Sequence, residues 1–410
     1  MRRLLMIAYH FPPLAGSSGI QRTLRFVQQL PALGWQPLVL TTHARAYERV
    51  SGDLLSDVPS GTVVRRAFAL DAARHLSISG RYLDSMANPD RWKSWRFDAV
   101  RQGLRLIREF SPDAIWTTYP IPTAHVIGHE LSQKSGLPWI ADFRDPMAQD
   151  DYPEDPEVRA RFRSIELMAV KNARACCFTT PGAARTYQAR YPEAAARMHV
   201  LENGYDEDTF ARAELALGAP LPLNAELVTL LHSGIVYPTE RDPCHLLEAL
   251  GRLRQDNSTL ASKLRVRFRA AVSEDLIRGL AQQNGVLDLI EVLPPLGYAE
   301  ALSEMLRADG LLLMQGGSCN DQIPAKVYEY MRTKRPILCL SHPDGDTCEV
   351  LNRAGVASGA ALDDTAGILG LLNDFLVNLR DKWVPDSTAV AASARQSRTV
   401  ELARLLDSFA

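Results

Sequence analysis

Lys326 and Glu329 are two charged residues whose types and spacing suit the binding of a phosphorylated ligand. They are three residues apart and share one face of a helix that Pro324 would begin. A lysine beside a helix N-terminus opposes the helix dipole unless an anion lies between them, so Lys326 is a candidate phosphate ligand. The Glu329 carboxylate could accept two hydrogen bonds from a vicinal diol such as a ribose. The alternative is a surface Lys-Glu pair on a core helix.

A glycine-rich segment, residues 12–19, lies between an apolar run at 4–9 and an amphipathic pattern at 20–33. Free backbone N–H groups and the dipole of the following helix favour an anion there, which makes Gly16 and Gly19 candidate phosphate-binding positions. The segment has neither the GxGxxG nor the Walker A spacing, so it does not predict a dinucleotide site. The alternative is a turn that only connects a strand to a helix.

Two carboxylates, Asp142 and Asp145, stand on either side of Arg144 at the end of the predicted strand 139–143. Such a group could activate a hydroxyl for reaction, or it could hold a loop by ion pairing. We favour Asp145 as the activating group and keep a structural role for Asp142 as the alternative.

The histidine, cysteine and acidic patterns do not predict a metal site. His125 and His129 are four residues apart but have no third ligand nearby and no HExxH glutamate, so they are expected to pack at a domain edge. The six cysteines include no CxxC pair and are expected to be reduced. Two Asp-x-Asp sequences, at residues 206–208 and 344–346, follow turns rather than strands. We therefore expect no metal ion.

The composition is that of an ordinary globular chain. It has 410 residues, 46% hydrophobic residues and a formal charge of −2, which offers no global basic surface for nucleic acid. No apolar run approaches the roughly 18 residues that a membrane-spanning helix needs. The length exceeds one hydrophobic core and predicts two domains of roughly 200 residues each. The N-terminal apolar run lacks a cleavage site, so we expect a buried first strand and a cytoplasmic protein.

Short β-rich segments alternate with helical patterns in two series, which indicates parallel sheets covered by helices. The strands of the first series are predicted at residues 4–9, 37–41, 114–117, 139–143 and 175–179. Those of the second series are predicted at 227–231, 264–270, 289–293, 310–314 and 336–340, with helices at 244–253, 275–284, 298–307 and 324–333. The fold class is therefore α/β, with two doubly wound Rossmann-like domains facing across a cleft.

The predicted domains are residues 1–205 and residues 206–385. A polar turn at 202–206 and a proline-containing stretch at 219–223 place the linker between about 203 and 224. A last helical pattern, at 389–409 within a segment 386–410, is expected to pack back against the first domain.

Several motifs together resemble the GT-B glycosyltransferases of family 4, a large retaining family that acts in bacterial polysaccharide and lipid-glycan assembly. They are Tyr9-His10-Phe11-Pro12-Pro13 with Gly19-Ile20-Gln21-Arg22, Ala141-Asp142-Phe143-Arg144-Asp145-Pro146, Glu202-Asn203-Gly204-Tyr205-Asp206, His232-Ser233-Gly234, and the run at residues 323–330. Each motif is weak alone, but their order and spacing cover both predicted domains.

The resemblance implies an enzyme that transfers a sugar from a nucleoside diphosphate sugar to an acceptor hydroxyl, with no metal and no further cofactor. Residues 1–205 would bind the acceptor, and residues 206–385 would bind the nucleotide sugar. The family carries two acidic residues with seven residues between them, and Asp321 and Glu329 have that spacing. By resemblance Glu329 binds the nucleotide ribose and Asp321 the donor-sugar hydroxyls. Ile323 is placed with Gly16 and Gly19 among the donor-binding positions.

Two departures from the family pattern change the expected site. Ile235 stands where the family has a phosphate-binding arginine, so the diphosphate role passes to Arg241 and Lys326. Arg144 stands where many members have a histidine, and with Asn203 it is assigned to the acceptor side. The departures leave two alternatives open, namely a nucleotide-sugar epimerase or phosphorylase, and a non-catalytic sugar-nucleotide-binding protein.

One basic stretch with interleaved aromatic residues runs from Arg91 to Arg108. Such a helix can lie on anionic lipid headgroups, which would suit a lipid-linked acceptor and a peripheral position at the inner face of the cell membrane. The alternative is a solvated basic face with Trp92 and Trp95 in the core.

Overall fold

The computed structural model describes residues 1–17, 19–219, 221–377 and 380–409. Ser18 of the glycine-rich segment and Pro220 of the predicted linker therefore lie outside the described residues. The chain divides into two compact units: unit 1 comprises Met1–Asn203 and Arg395–Ala410, and unit 2 comprises Gly204–Ala394. The predicted divisions were at 205/206 and 385/386.

Unit 1 is built on a seven-stranded sheet in the order β3-β2-β1-β4-β5-β6-β7, with every neighbouring pair parallel. Its strands are β1 (Arg2–Ile7), β2 (Trp35–Thr42), β3 (Val63–Ala67), β4 (Ala114–Thr118), β5 (Trp139–Arg144), β6 (Ala175–Phe178) and β7 (Met198–Val200). Its first helices are α1 (Gly19–Gln29), α2 (Ala72–His75), α3 (Asp84–Ala87), α4 (Trp95–Phe110), α5 (Pro122–Ser135), α6 (Pro156–Asn172) and α7 (Pro181–Arg190).

Unit 2 is built on a five-stranded parallel sheet in the order β10-β9-β8-β11-β12. The strands are β8 (Val228–Ser233), β9 (Leu264–Arg269), β10 (Ile290–Leu293), β11 (Gly310–Met314) and β12 (Ile337–Leu340). The helices are α8 (Glu207–Leu217), α9 (Cys244–Asp256), α10 (Ser258–Ala261), α11 (Glu274–Gln283), α12 (Tyr298–Arg307), α13 (Lys326–Thr333), α14 (Asp346–Arg353), α15 (Thr365–Leu376) and α16 (Ser387–Ala392).

Continuous apolar strands explain why both sheets are covered on two faces, as parallel sheets require. In β1, Leu5 and Ile7 belong to one core layer, whereas Leu4 and Met6 belong to the layer on the opposite face. All four side chains are fully buried. Two doubly wound α/β units are thus confirmed. In each sheet the strand order reverses beside the first strand, between β1 and β4 in unit 1 and between β8 and β11 in unit 2.

The C-terminal helix α17 (Arg395–Asp407) belongs to unit 1. Its Leu402 and Leu406 are fully buried in the core layer that contains Leu4. The Asp407 carboxylate accepts hydrogen bonds from Arg2 at 2.8 Å and from the Trp35 indole at 2.9 Å. The single helix predicted at 389–409 is wrong in one respect, because α16 and α17 are separate helices in different units.

Three further sequence predictions differ from the structure. The predicted linker contains α8, whose Phe210 is fully buried and whose Glu207 forms an ion pair with Arg332 at 2.6 Å. Strands β3 and β7 were missed, because β3 carries two arginines in five residues and β7 has only three residues. Helix α13 begins at Lys326 rather than at Pro324.

Candidate functional site

In unit 2 the carboxyl ends of β8 and β11 flank the point where the strand order reverses, which is where open α/β sheets bind ligands. Ser233 ends β8 and Gly234 follows it, and Gln315 follows β11. Lys326 is the first residue of α13, so it lies in the first turn of the helix entered from this edge.

A buried histidine holds the Lys326 side chain. His232 is fully buried on β8, and its Nδ1 lies 3.0 Å from the Leu312 carbonyl oxygen. A carbonyl only accepts, so Nδ1 carries the proton and donates, which leaves Nε2 as an acceptor. That Nε2 lies 3.3 Å from Lys326 Nζ. The lysine ammonium is thereby oriented by a group 94 residues away in the sequence.

Gly234 provides the space that the lysine occupies. Its φ is 126°, and a Cβ built there would lie 3.0 Å from Lys326 Nζ. Glycine adopts this backbone conformation without the steric cost of a side chain. The small residue at the end of β8 therefore brings the backbone close to the ammonium.

The electrostatics of this cluster favour an anion. Burial, reinforced by the Arg241 charge, lowers the pKa of Lys326 to about 7, while Glu329 acts in the opposite direction. Burial and the Lys326 charge hold the pKa of His232 well below its usual range, so the imidazole is neutral. A bound phosphate would favour the charged form of Lys326.

Arg241 contributes the second cation. Its Nη1 donates to the Ile235 carbonyl oxygen at 2.9 Å, and its guanidinium carbon lies 5.2 Å from the centre of the Tyr237 ring. Ile235, which stands where the family has an arginine, thus contributes a backbone carbonyl that orients Arg241. The glycine-rich loop after β11 is joined to the same segment, because the Gly316 N–H donates to the Glu240 carbonyl oxygen at 2.6 Å.

Tyr298 is a site residue that sequence reasoning missed. Its hydroxyl donates to Glu329 Oε1 at 2.7 Å. The sequence carried one usable signal, because Tyr298 begins the helix that follows β10 and so lies at the carboxyl edge of the sheet. A carboxylate with a phenol beside it can bind the hydroxyls of a polar ligand.

Asp321 and Ile323 lie in the loop before α13. Asp321 is exposed, whereas Ile323 is buried in the core of unit 2. The loop is held by its backbone, since the Gln322 carbonyl oxygen accepts from Gln315 Nε2 and from Thr347 Oγ1, each at 3.0 Å. The buried Ile323 can present only backbone to a ligand.

In unit 1, Asp142 is fully buried and forms an ion pair with Arg22. Arg22 Nε and Nη2 donate to its two oxygens at 2.9 and 2.8 Å, and Thr118 Oγ1 donates to Oδ2 at 2.9 Å. Arg22 also donates to the Leu201 and Glu202 carbonyl oxygens, at 3.0 and 3.2 Å. This geometry favours the structural alternative for Asp142 over a catalytic role.

Asp145, by contrast, is exposed beyond the end of β5. Its Oδ1 accepts from Thr179 Oγ1 at 3.2 Å. Arg144 lies between the two aspartates with a positive φ of 62°, so the two carboxylates have different environments. Asn203, the last residue of the first segment of unit 1, accepts from Arg398 through its backbone carbonyl at 3.3 Å.

Gly19 is the first residue of α1, and two side chains lie close to its Cα. A Cβ there would lie 2.4 Å from His10 Nδ1 and 2.7 Å from Arg144 Nη1, so only glycine fits without a shift. Gly16 has a φ of 79°, and nothing lies within 4 Å of its Cβ position, so glycine there serves the turn. The structure thus brings Gly19 and Arg144 together.

The side chains considered as metal ligands pack elsewhere. His125 is fully buried, with Nδ1 2.7 Å from Thr117 Oγ1. The described residues contain no cluster of three or more His, Cys, Asp or Glu placed to hold a metal ion. Cys339 and Cys348 are buried, with sulfurs 3.8 Å apart and no disulfide between them. Among the described residues, no helix is long and apolar enough to cross a membrane.

Part of the chain is similar to a known protein family. Residues 18–204 match the model of the glycosyl transferase 4-like domain. No curated protein sequence matches the chain significantly.

Solved structures align over the whole chain. Sucrose-phosphate synthase from Thermosynechococcus elongatus aligns with a TM-score of 0.68 at 13% identity, covering 100% of this chain and 99% of that chain. HepE from Anabaena in complex with UDP aligns with a TM-score of 0.67 at 13% identity, covering 100% of both chains. WaaG, a glycosyltransferase involved in lipopolysaccharide biosynthesis, aligns with a TM-score of 0.61 at 14% identity, covering 98% and 99%. HepE has also been solved with UDP-glucose.

These similarities agree with the two doubly wound units. The chain therefore has the GT-B fold of these solved structures, and residues 18–204 are similar to the glycosyl transferase 4-like domain.

Proposed function

We propose that the protein transfers a sugar from a nucleoside diphosphate sugar to an acceptor hydroxyl, with retention of the anomeric configuration and without a metal ion. The observation that carries this proposal is the pair of cations, Lys326 and Arg241, at the carboxyl edge of unit 2 beside the Glu329 carboxylate. Two phosphates require at least two compensating positive groups in a partly buried site. The complexes of HepE with UDP and UDP-glucose support a nucleotide-sugar donor for a chain of the same fold.

The candidate site residues of unit 2 would each bind a part of the donor. Lys326, oriented by His232, and Arg241 would hold the diphosphate. Glu329, with the Tyr298 hydroxyl beside it, would bind the ribose. Asp321, on the exposed side of its loop, would bind sugar hydroxyls, and Ile323 would contribute backbone groups.

On the acceptor side we propose Asp145 as the group nearest the reacting hydroxyl, with Arg144 binding the acceptor. Asn203 remains a proposed acceptor contact. Gly16 and Gly19 remain proposed phosphate-binding positions, through the backbone N–H groups at the start of α1. The acceptor is proposed to be a growing surface glycan or a lipid-linked intermediate at the inner face of the cell membrane. The absence of a metal requirement and the retention of configuration rest on the resemblance to family 4.

The proposal is tested by incubating the protein with UDP-, GDP- and ADP-sugars and measuring nucleotide release and sugar transfer. We expect one nucleotide to stabilise the protein by RT ln(1 + [L]/Kd) and its sugar to be hydrolysed or transferred. Stabilisation without nucleotide release would instead indicate a binding protein, and interconversion of the donor sugar an epimerase. EDTA is expected to leave the rate unchanged.

We expect Lys326 to make donor binding dependent on pH. The ammonium loses its proton as the pH rises through about 7, so affinity for UDP should fall about tenfold between pH 7 and 8.5. The diphosphate is already fully ionised in that range, since phosphate has a second pKa of about 6. Isothermal titration calorimetry would measure both affinity and proton uptake.

Three variants test whether these two cations act on the phosphates. Lys326→Arg should bind UDP with little pH dependence, because a guanidinium stays charged. Lys326→Ala and Arg241→Ala should each weaken UDP binding more than uridine binding. Equal losses for UDP and uridine would show that these residues act through folding rather than through the phosphates.

In the structure, much of the basic stretch is engaged in contacts within unit 1 and is therefore not available to lipid headgroups. Arg91, Arg96 and Arg101 are ion-paired, with Asp71, Glu130 and Asp98 respectively. Trp95 is fully buried and Trp92 packs against the core of unit 1. Large apolar side chains of unit 1 are exposed just before this stretch and within it, namely Ile78 (83%), Leu83 (65%) and Phe97 (73%). Arg81, which pairs by a β-bridge with Ile78, is exposed beside them.

We therefore propose that an anionic bilayer contacts unit 1 through the exposed side chains of Ile78, Leu83 and Phe97. Ile78→Asp combined with Leu83→Asp should reduce co-sedimentation with vesicles of phosphatidylglycerol and phosphatidylcholine at least fivefold. The matched control is Leu215→Asp on α8, a leucine that is 86% exposed in unit 2. Equal binding by all three proteins would refute the membrane contact.

A further inference from the structure

We infer that unit 1 contains an anion subsite at Arg144, and that this subsite receives a phosphate or carboxylate carried by the acceptor. The subsite consists of the Arg144 guanidinium, the His10 ring and Gly19 at the start of α1. The inference rests on the proposed function, because it specifies the chemical class of the acceptor in that reaction.

The backbone holds Arg144 in an unusual position. It is the last residue of β5, its φ is 62°, and the pairing of β5 with β6 shifts register between Asp142 and Arg144. A left-handed conformation is sterically unfavourable for a non-glycine residue. Residues held in such conformations cluster at functional sites, and the carboxyl edge of a parallel sheet is where these folds bind ligands.

The guanidinium has more hydrogen-bond donors than acceptors around it. Nη1 donates to the Tyr119 carbonyl oxygen at 3.3 Å. Nε is buried and has no hydrogen-bond partner in the described part of the chain. A guanidinium has five N–H donors, and buried donors are normally satisfied. An oxyanion with two oxygens would satisfy them in the bidentate geometry typical of arginine.

Neither nearby carboxylate contacts Arg144 directly in the described part of the chain. Both Asp142 oxygens accept from Arg22, and Asp145 Oδ1 accepts from Thr179. Among the described residues, Arg144 forms no ion pair within 4.0 Å, and Asp145 and Asp142 attract its charge only from a longer distance. A directly bonded oxyanion is therefore a contact that the guanidinium can still accept.

The remaining groups that face Arg144 add positive or neutral character. A Cβ on Gly19 would lie 2.7 Å from Arg144 Nη1, so the guanidinium lies against the positive end of the α1 dipole. Burial, with a smaller contribution from Arg144, lowers the pKa of His10 to about 4, so the imidazole is neutral at pH 7. Burial, reinforced by the Arg22 charge, lowers the pKa of Arg144, while the Asp145 and Asp142 carboxylates act in the opposite direction. A bound oxyanion would favour the charged guanidinium and accept from its unpaired donor.

The acceptor, rather than the donor, is the source we assign to the anion. The donor diphosphate has its own proposed cations, Lys326 and Arg241, in unit 2. Arg144 lies directly before Asp145, the proposed acceptor-side carboxylate. A phosphate-bearing lipid-linked intermediate and an acidic sugar would both present the required group.

Titration with inorganic phosphate tests the subsite in the full-length protein. Thermal stability is measured at constant ionic strength with chloride as the reference, in wild type and in Lys326→Gln, which removes one of the two proposed phosphate ligands of unit 2. We expect saturable stabilisation by phosphate in both. Arg144→Gln should weaken phosphate binding at least tenfold in either background. Arg96→Gln, which removes an exposed arginine paired with Glu130, is the matched control and should bind normally.

Two further measurements separate the possible outcomes. If Arg144→Gln retains phosphate affinity, or wild type shows no saturable effect, the subsite does not exist. If Arg144→Gln instead lowers UDP affinity tenfold or more, the guanidinium serves the donor and the assignment to the acceptor is wrong. Should Arg144→Gln fail to fold, Arg144→Lys keeps the charge without the bidentate fork and should show an intermediate phosphate affinity. A wild type that binds phosphate through Arg144 but binds no nucleoside diphosphate would refute the proposed function alone.

Discussion

Glu329→Ala is expected to abolish sugar transfer and to weaken nucleoside diphosphate binding by about 1–3 kcal/mol, the range for losing a charge-assisted partner in a partly buried site. The carboxylate accepts from the Tyr298 hydroxyl at 2.7 Å, and in the proposed complex it also accepts from the ribose. Its loss would leave both donors without their acceptor. Calorimetric titration with UDP, GDP and ADP, together with a transfer assay, would measure the effect.

Two variants separate the ribose role from a general effect. Tyr298→Phe removes only the neighbouring hydroxyl and should cost less binding free energy than Glu329→Ala. Glu274→Ala on α11, where the glutamate is half exposed, is a matched control and should leave binding unchanged. Unchanged nucleotide affinity in a folded Glu329→Ala protein would exclude Glu329 as the ribose ligand.

The two aspartates beside Arg144 are expected to respond in opposite ways to substitution by asparagine. Asp145→Asn should leave donor binding within about 0.5 kcal/mol and lower the transfer rate by roughly 10²-fold or more, the scale for removing a positioned base. Asp142→Asn should instead lower the free energy of unfolding by about 3–5 kcal/mol, because it leaves the Arg22 charge buried without its counterion.

Urea denaturation and steady-state transfer rates, measured on both variants, distinguish these roles. Normal stability with lost transfer in Asp142→Asn, and normal transfer in Asp145→Asn, would reverse the assignments. Full activity in both would mean that the segment is only a structural turn, and that another group, such as the departing phosphate, activates the acceptor hydroxyl.

The amino-acid sequence by itself determined the alternating α/β architecture and the helical spacing at the site. Apolar runs such as Leu4 to Ile7 predict strands buried on both faces, and this requires only local hydrophobicity. Lys326 and Glu329 share a helix face because the helical repeat brings residues three apart together. The limits of α12 and β11 were predicted to the residue, since a glycine or a polar turn bounds each of them. Edge strand β3 was missed because its arginines interrupt the apolar pattern.

Only the tertiary structure decided which groups are paired and which remain available. Arg22 and Asp142 are 120 residues apart, yet their ion pair makes one of two similar aspartates structural. The proton position on His232 depends on the Leu312 carbonyl of a neighbouring strand, and Tyr298 reaches Glu329 from another helix. These contacts arise where parallel strands end at a common edge, so their partners are set by strand order rather than by spacing along the chain. For the same reason, the sequence could name Arg144 only as a candidate. Only the packing shows that its guanidinium forms no ion pair within 4.0 Å among the described residues.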